Sequence, residues 1–436
     1  MPAPRFIAVI DIGKTNAKVV LIDAETGGQL AVRSTPNTVL RDGLYPHADV
    51  ERLAGFILAS LRELHAAHGV EGISITTHGA TAALMAGERL ALPVLDYEHG
   101  GPEDTSAAFG ALRPDFSESL SPRLPNGLNL GAQIFWQSQA YAERFAEVTA
   151  ILPYPQYWAW RLTGVMASEV TSLGCHTDLW APKRGQFSGM VAERSWAGLF
   201  PAVRPANSVL GPILPDIAAA TGLPADTPVT CGIHDSNASL LPHLGGHETP
   251  FTILSTGTWV IAMTVGGDTA RLDPARDSLA NVDAFGRAVP TARFMGGREF
   301  DMLAPGAETP SDADIARVIN QDVQALPSFM AGVGPFPGAV GRWTKGPEQL
   351  SAGERTAAVS LYLALVTQAC LGLAGVGRQI IIEGPLARNE VFGQALAALT
   401  GVMASEVTSL GCHTDLWAPQ RGQFSRMVAE RGWAGL

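Results

Sequence analysis

Two segments of the chain share one pattern: a run of β-branched and apolar residues, a tight turn of small polar residues, and a second such run. The first spans Phe6–Asp23 and turns at Gly13-Lys14-Thr15-Asn16; the second spans Phe251–Val265 and turns at Ser255-Thr256-Gly257-Thr258. A lone hairpin is barely stable in water, so each has to seed a sheet covered by the segments that follow. Asp49–His68 follows the first, with Leu53, Phe56, Ile57, Leu61 and Leu64 at helical spacing and Gly69 as the stop. Helical patterns over 312–321, 354–373 and 389–399 and a strand at 379–383 follow the second. The pattern predicts an α/β chain of two domains, 1–243 and 244–400, with a cleft between them and a hinge near 240–248. The polar, Pro- and Gly-rich stretch 101–128 reads as a long loop, and 132–149 and 155–162 as helices.

A second feature cuts across this division. Residues 162–199 return at 399–436, offset by 237, with 35 of 38 positions identical; the exceptions are Lys183/Gln420, Gly189/Arg426 and Ser195/Gly432. Solenoids repeat every ~20–50 residues, so this is no repeat architecture, and two old halves of one fold would have diverged further. A recent duplication, a recombination at the shared Leu-Thr-Gly or an assembly error of the sequence accounts for it. Only one copy can fill the original niche. The first, Val165–Leu199, is expected to be integral to the N-terminal domain. The tail 401–436, which duplicates 164–199, is expected from Val402 onward to pack loosely or differently.

Composition excludes several classes. With 46% hydrophobic and 16% charged residues the chain can bury a core and is not disordered. Its 30 basic against 41 acidic residues give −11, without a basic run, which argues against nucleic acid. No apolar run approaches the length of a membrane span, and the first residues lack a signal peptide's apolar core. Cys175, Cys231, Cys370 and Cys412 form no CxxC, so neither zinc nor a disulfide framework is indicated. A cytoplasmic protein is expected, partnered by small molecules rather than nucleic acid or membrane, with a homodimer allowed for.

The turns carry the candidate chemistry. Gly13-Lys14-Thr15 is not a Walker A loop, because Ala8 stands where its first glycine belongs and a strand follows. It reads as a plain hairpin turn or as backbone N–H groups and a lysine offered to phosphate, with Asp11 able to hold a metal through water. Ser255–Thr258 repeats the idea. Asp235 reads as a helix N-cap or as a general base, and His234 as a sugar ligand or a satisfied buried histidine. His78-Gly79 reads as a turn or a sugar lining. Asp96-Tyr97-Glu98-His99 is unsuited to a metal cluster, since neighbours in an extended chain point apart. Trp136, Trp158 and Trp160 read as core.

Taken in order, DIGKTNAK (11–18), THGATAALM (77–85), GIHDSNASL (232–240), STGTW (255–259) and EGPLARN (383–389) resemble the FGGY family of carbohydrate kinases. The stretches LDYEHGGPE and YPQYWAWRLTG are similar to the branch acting on ketoses. The resemblance implies two ribonuclease-H-like (actin/hexokinase ATPase-type) domains and ATP and Mg²⁺ as cofactors. It implies Asp235 as catalytic base and Asp11 as the metal-associated acid. Gly13, Lys14, Thr15, Asn16, Gly257, Thr258, Gly384 and Asn389 would bind nucleotide; His78, Gly79, Asp96 and His234 would bind sugar. The expected activity is phosphorylation of a primary hydroxyl of a ketose, such as L-rhamnulose or L-fuculose. The family's closing strand and glycine-rich helix would follow residue 400, where the duplicated stretch stands instead. The alternative expectation is therefore an impaired sugar- or nucleotide-binding relic.

Overall fold

The computed structural model describes residues 4–402 and 404–406. The chain forms two compact units. The first takes the chain up to Gly245 together with Asn281–Arg287; the second takes Gly246–Ala280 and the chain from Ala288 on. A division at 243/244 misses the Asn281–Arg287 excursion, because nothing in its composition sets it apart from the flanking strands.

In the first unit β1 (Phe6–Ile12), β2 (Asn16–Asp23) and β3 (Gly28–Pro36) form an antiparallel meander. Helix α1 (Val50–His68) starts where the Asp49 carboxylate accepts the Arg52 N–H at 3.1 Å. It returns the chain to β4 (Gly72–Thr77), parallel to β1. After α2 (Tyr154–Thr163) come β5 (Val209–Pro212), β6 (Pro228–Thr230) and β7 (Ile233–His234). The strand order is β5-β6-β4-β1-β2-β3, with β7 also on β4. Ala8, Ile10 and Ile12 of β1 and Leu53, Ile57, Leu61 and Leu64 of α1 belong to one buried cluster, so strand and helix periodicities meet at a shared face.

The second unit repeats the plan. β8 (Phe251–Thr256) pairs antiparallel with β9 (Val260–Val265); β10 (Ser278–Val282) and β11 (Ala288–Phe294) extend that side. Helix α3 (Gly296–Leu303) follows, and the long helix α4 (Ala352–Ala374) starts at a Ser351/Glu354 capping box. β12 (Ile380–Glu383) then pairs parallel with β8, α5 (Glu390–Thr400) follows, and β13 (Ala404–Glu406) pairs parallel with β12. α4 is apolar and long enough to cross a membrane by composition. Val359, Leu363 and Ala364 are nevertheless wholly buried in this unit's core.

Both copies of the repeat follow a helix stopped by Leu-Thr-Gly, with Gly164 and Gly401 left-handed at φ +74° and +70°. They then part. In the first, Ser168 bridges Val203 and Glu169 caps the short helix Val170–Leu173. In the second, Ala404–Glu406 becomes the edge strand β13, and Val402 packs on the core. For Ala404–Glu406 the second half of the expectation holds: the copy packs differently from the first, because β12 offers that backbone a partner. For later residues the expectation lies outside the described residues.

Two further expectations change. Stretch 101–128 holds short helices at Gly101–Thr105, Ser106–Leu112 and Phe116–Ser119. The fully buried Phe109 and the 2.8 Å Arg113–Asp178 ion pair anchor them. The 132–149 helix breaks into Leu130–Ala140 and Ala142–Phe145. Tyr141 leaves helical geometry there, and its hydroxyl donates to the Leu44 carbonyl at 3.0 Å.

Phe392 on α5 is wholly buried in the cluster that also holds α4. Phe392→Ala is expected to destabilise the second unit by about 3–5 kcal/mol, read as a lower urea midpoint for that unit's transition.

Candidate active site

The carboxyl ends of β1, β4 and β7 finish in step. Asp11 lies beside Thr76, Thr76 beside Ile233, and Thr77 beside His234. The segments leaving these ends, Gly13–Asn16, His78–Thr81 and Asp235–Ala238, therefore gather at one edge of the sheet, where parallel strands commonly build sites. The His78 N–H donates to the Ile12 carbonyl at 2.9 Å and ties two of these exits together.

Asp235 opens the short helix Asp235–Ala238 as its first residue, with His234 in the cap position. The N-cap reading is therefore incorrect: the Asp235 carboxylate accepts from the adjacent Ser236 N–H at 2.6 Å and Ser236 hydroxyl at 3.3 Å. It remains 40% exposed, so a substrate hydroxyl can reach it. Burial raises its pKa, opposed by His78 and Ser236. His234 is enclosed, and burial pulls its pKa down to about 4, leaving a neutral ring. The Asn237 amide lies 2.9 Å from Nδ1. Donation by that amide puts the ring proton on Nε2, 3.2 Å from the Asp235 carboxylate. Gly79 packs on the same ring: a Cβ there would stand 2.5 Å from His234 Nε2.

His78, also lowered in pKa by burial, sits between Tyr97 and Tyr154, with ring centroids 5.5 and 5.2 Å away. Lys14, at the hairpin tip, donates to Asp96 and lies 3.3 Å from Glu98. The turn itself closes by the Gly13 N–H donating to the Asn16 carbonyl at 2.9 Å, while Thr15 and Asn16 stay exposed. Asp11 faces Lys18 across the hairpin; burial raises its pKa, with Lys18 opposing and Asp235 adding to the rise.

Sequence reasoning overlooked a buried brace behind these residues. The Thr171 hydroxyl accepts the His234 N–H at 3.1 Å and donates to Glu169 at 2.5 Å. Gln156 donates to the carbonyls of Cys231 and Gly232 at 3.0 and 3.1 Å. The available signal was a Gln inside the aromatic run YPQYW and the pair Glu169/Thr171 in a stretch otherwise poor in charge. Trp136 and Trp158 are 6% and 2% exposed and belong to the core.

In the second unit Gly257, Thr258 and Asn389 line one cavity of about 810 Å³, together with Phe300, Ile315, Leu386 and Val391. This is the size and mixed character of a small-molecule site. Asn389 is fixed: its carbonyl accepts the Phe392 N–H at 3.0 Å and its amide donates to Ser360 at 2.9 Å. Gly384 leads into the turn Pro385–Arg388, held where the Thr256 hydroxyl accepts the Leu386 N–H at 3.1 Å. The Arg298 N–H, on α3, donates to the Thr258 carbonyl at 3.3 Å.

Among the described residues no group of three or more His, Cys, Asp or Glu side chains could cage a metal. Asp11, which feels the charge of Asp235, fits Mg²⁺ instead, which is usually held by one or two carboxylates, water and substrate phosphates.

A model of the carbohydrate kinase FGGY C-terminal domain matches residues 248–418. A model of the N-terminal domain of the FGGY family of carbohydrate kinases matches 123–242. The chain is similar to the L-fuculokinase of Salmonella typhi, 25% identical over 301 residues, covering 64% of this chain and 61% of that protein. It is also similar to the L-xylulose/3-keto-L-gulonate kinase of Escherichia coli (strain K12), 26% identical over 314 residues, covering 66% and 58%. It thus spans less than two thirds of these relatives' length. Among solved structures, a carbohydrate kinase from Novosphingobium aromaticivorans superposes with a TM-score of 0.90 at 37% identity, over 100% of both chains. The xylulose kinase of Lactobacillus acidophilus shares the fold, with a TM-score of 0.74 at 15% identity over 97% and 91%.

Glu169 is wholly buried, and burial raises its pKa to about 7 against the hydrogen bonds it accepts. Between the ordinary glutamate value and about 7 the folded state keeps a proton that the unfolded chain has lost. Its contribution to stability therefore falls as pH rises through that window. Glu169→Gln, which cannot ionise, is expected to remove this slope, checked by urea midpoints of both proteins across the window.

Proposed function

We propose that this chain, which belongs to the FGGY family of carbohydrate kinases, transfers the γ-phosphoryl group of ATP to a primary hydroxyl of a small ketose. A deoxyketose such as L-rhamnulose or L-fuculose, taken at O1, is our first candidate. The observation that carries this reading is the reachable Asp235 carboxylate, held beside the buried His234 ring at the ends of parallel strands.

In the proposed reaction the ketose hydroxyl oxygen bonds to the γ-phosphorus as the bond to the β-bridging oxygen breaks, and that oxygen leaves with ADP. Asp235 accepts the hydroxyl proton. Phosphoryl transfer asks a protein mainly for alignment and charge stabilisation. His234, with its proton on Nε2, and His78 would orient the sugar, and Gly79 would keep the ring of His234 in place. We assign Gly13, Thr15 and Asn16 and the turn Gly257-Thr258 to the phosphates. The cavity lined by Asn389, beside Gly384-Pro385, is assigned to adenosine. Mg²⁺, associated with Asp11, would supply charge neutralisation at the phosphates. A cytoplasmic location agrees with a need for ATP. Nothing favours the relic alternative, since Ala404–Glu406 completes the sheet and the family match runs to residue 418.

Asp235→Asn is expected to lower kcat by about 10²–10⁴, the usual share of a general base, while ketose binding by calorimetry persists. Near-normal ketose-dependent ADP formation by this variant would refute the assignment. Because burial holds the Asp235 pKa above its ordinary value, kcat/KM should fall as pH drops through that raised value. The acid limb of the wild-type profile checks this.

A further inference from the structure

A lysine beside a small polar turn suggests a phosphate ligand, but the first unit commits Lys14 elsewhere. Its ammonium donates to Asp96, which is 9% exposed, lies 3.3 Å from the Glu98 carboxylate, and stands 4.7 Å over the Tyr97 ring. Three consecutive residues, 82 or more positions along the chain, thus hold one side chain. Tyr97 in turn packs edge-on against His78, and His78 feels the charges of both Lys14 and Asp235. Lys14 and the 96–98 segment thus reach Asp235 through His78, as one wall of the sugar site proposed above.

The chemistry of that wall is specific. An ammonium has three donors and no acceptor, and a carboxylate only acceptors. Side by side they match neighbouring hydroxyls, each of which donates and accepts. The wall offers no spare positive charge: Lys14 faces Asp96 and Glu98, and Lys18, the next cation, stands opposite Asp11. A sugar carboxylate would meet cations already facing acids, and the further acid Asp235.

We propose that Lys14, paired with Asp96, is a specificity-determining residue on the sugar side, and that the site accepts uncharged polyhydroxy ketoses and rejects ketoses bearing a carboxylate. This rests on the kinase reading above, so the experiment separates the two. Initial rates of ADP formation are measured for the full chain with L-xylulose, L-rhamnulose and L-fuculose, and with 3-keto-L-gulonate as the carboxylate probe. They are repeated for Lys14→Met, with Asp96→Asn as a second variant judged by the same readout should the first not fold. The ketose KM is expected to rise about tenfold or more, as for a lost hydrogen bond to a charged group. The KM for ATP should stay within about twofold, the split that separates a sugar contact from a phosphate contact. Wild type should leave 3-keto-L-gulonate unphosphorylated. A rise in the ATP KM with an unchanged ketose KM would make Lys14 a phosphate ligand and overturn the proposal. Turnover of 3-keto-L-gulonate matching the best neutral ketose would overturn it while leaving the kinase reading intact. No ketose-dependent ADP formation by wild type would remove both.

Discussion

The in-step pairing of β1, β4 and β7 is the constraint from which the rest of the first unit follows. Parallel strands joined through helices release their chains at one sheet edge, and here the release points are Ile12, Thr77 and His234. A slip of one residue in β4 would turn His78 to the other face and exchange its buried and exposed neighbours. The buried cluster of Ala8, Ile10 and Ile12 with Leu53, Ile57 and Leu61 opposes such a slip.

That register is reinforced from behind. Burying Glu169 and Gln156 is costly unless they are hydrogen-bonded: Gln156 bonds the carbonyls of Cys231 and Gly232, and Glu169 accepts from Thr171, whose hydroxyl takes the His234 N–H. The polar brace and the chemistry in front of it are thus one arrangement. The second unit does the same: Thr256 and Asn389 commit their side chains to backbone and helix-cap bonds, and so fix the turn and helix start that line the cavity.

Much of this was legible in the residues. The hairpins, α1 and the turns bearing Asp235 and Gly257 follow from alternation, helical spacing and small polar turns, all local properties. What escaped were features set by distant partners. Stretch 101–128 looked like a loop because its helices are held by Phe109 and by Asp178, far along the chain. Asp235 reads as a cap because Asp is a good one, yet the helix starts at Asp235 itself and leaves His234 in the cap position. Lys14 reads as an unengaged lysine because only folding brings Asp96 to it.

The duplicated string separates the two kinds of information most cleanly. Leu-Thr-Gly ends a helix at both of its occurrences, since a left-handed glycine that returns its N–H to the preceding turn needs only its own neighbours. The residues after it, identical in both copies, become a capped brace behind His234 in one place and an edge strand beside β12 in the other. An extended backbone has unpaired donors and acceptors on both edges and takes the partner that the surrounding fold presents. The sequence alone determined where each helix stops and that the chain then extends; only the tertiary structure decided what that extension serves.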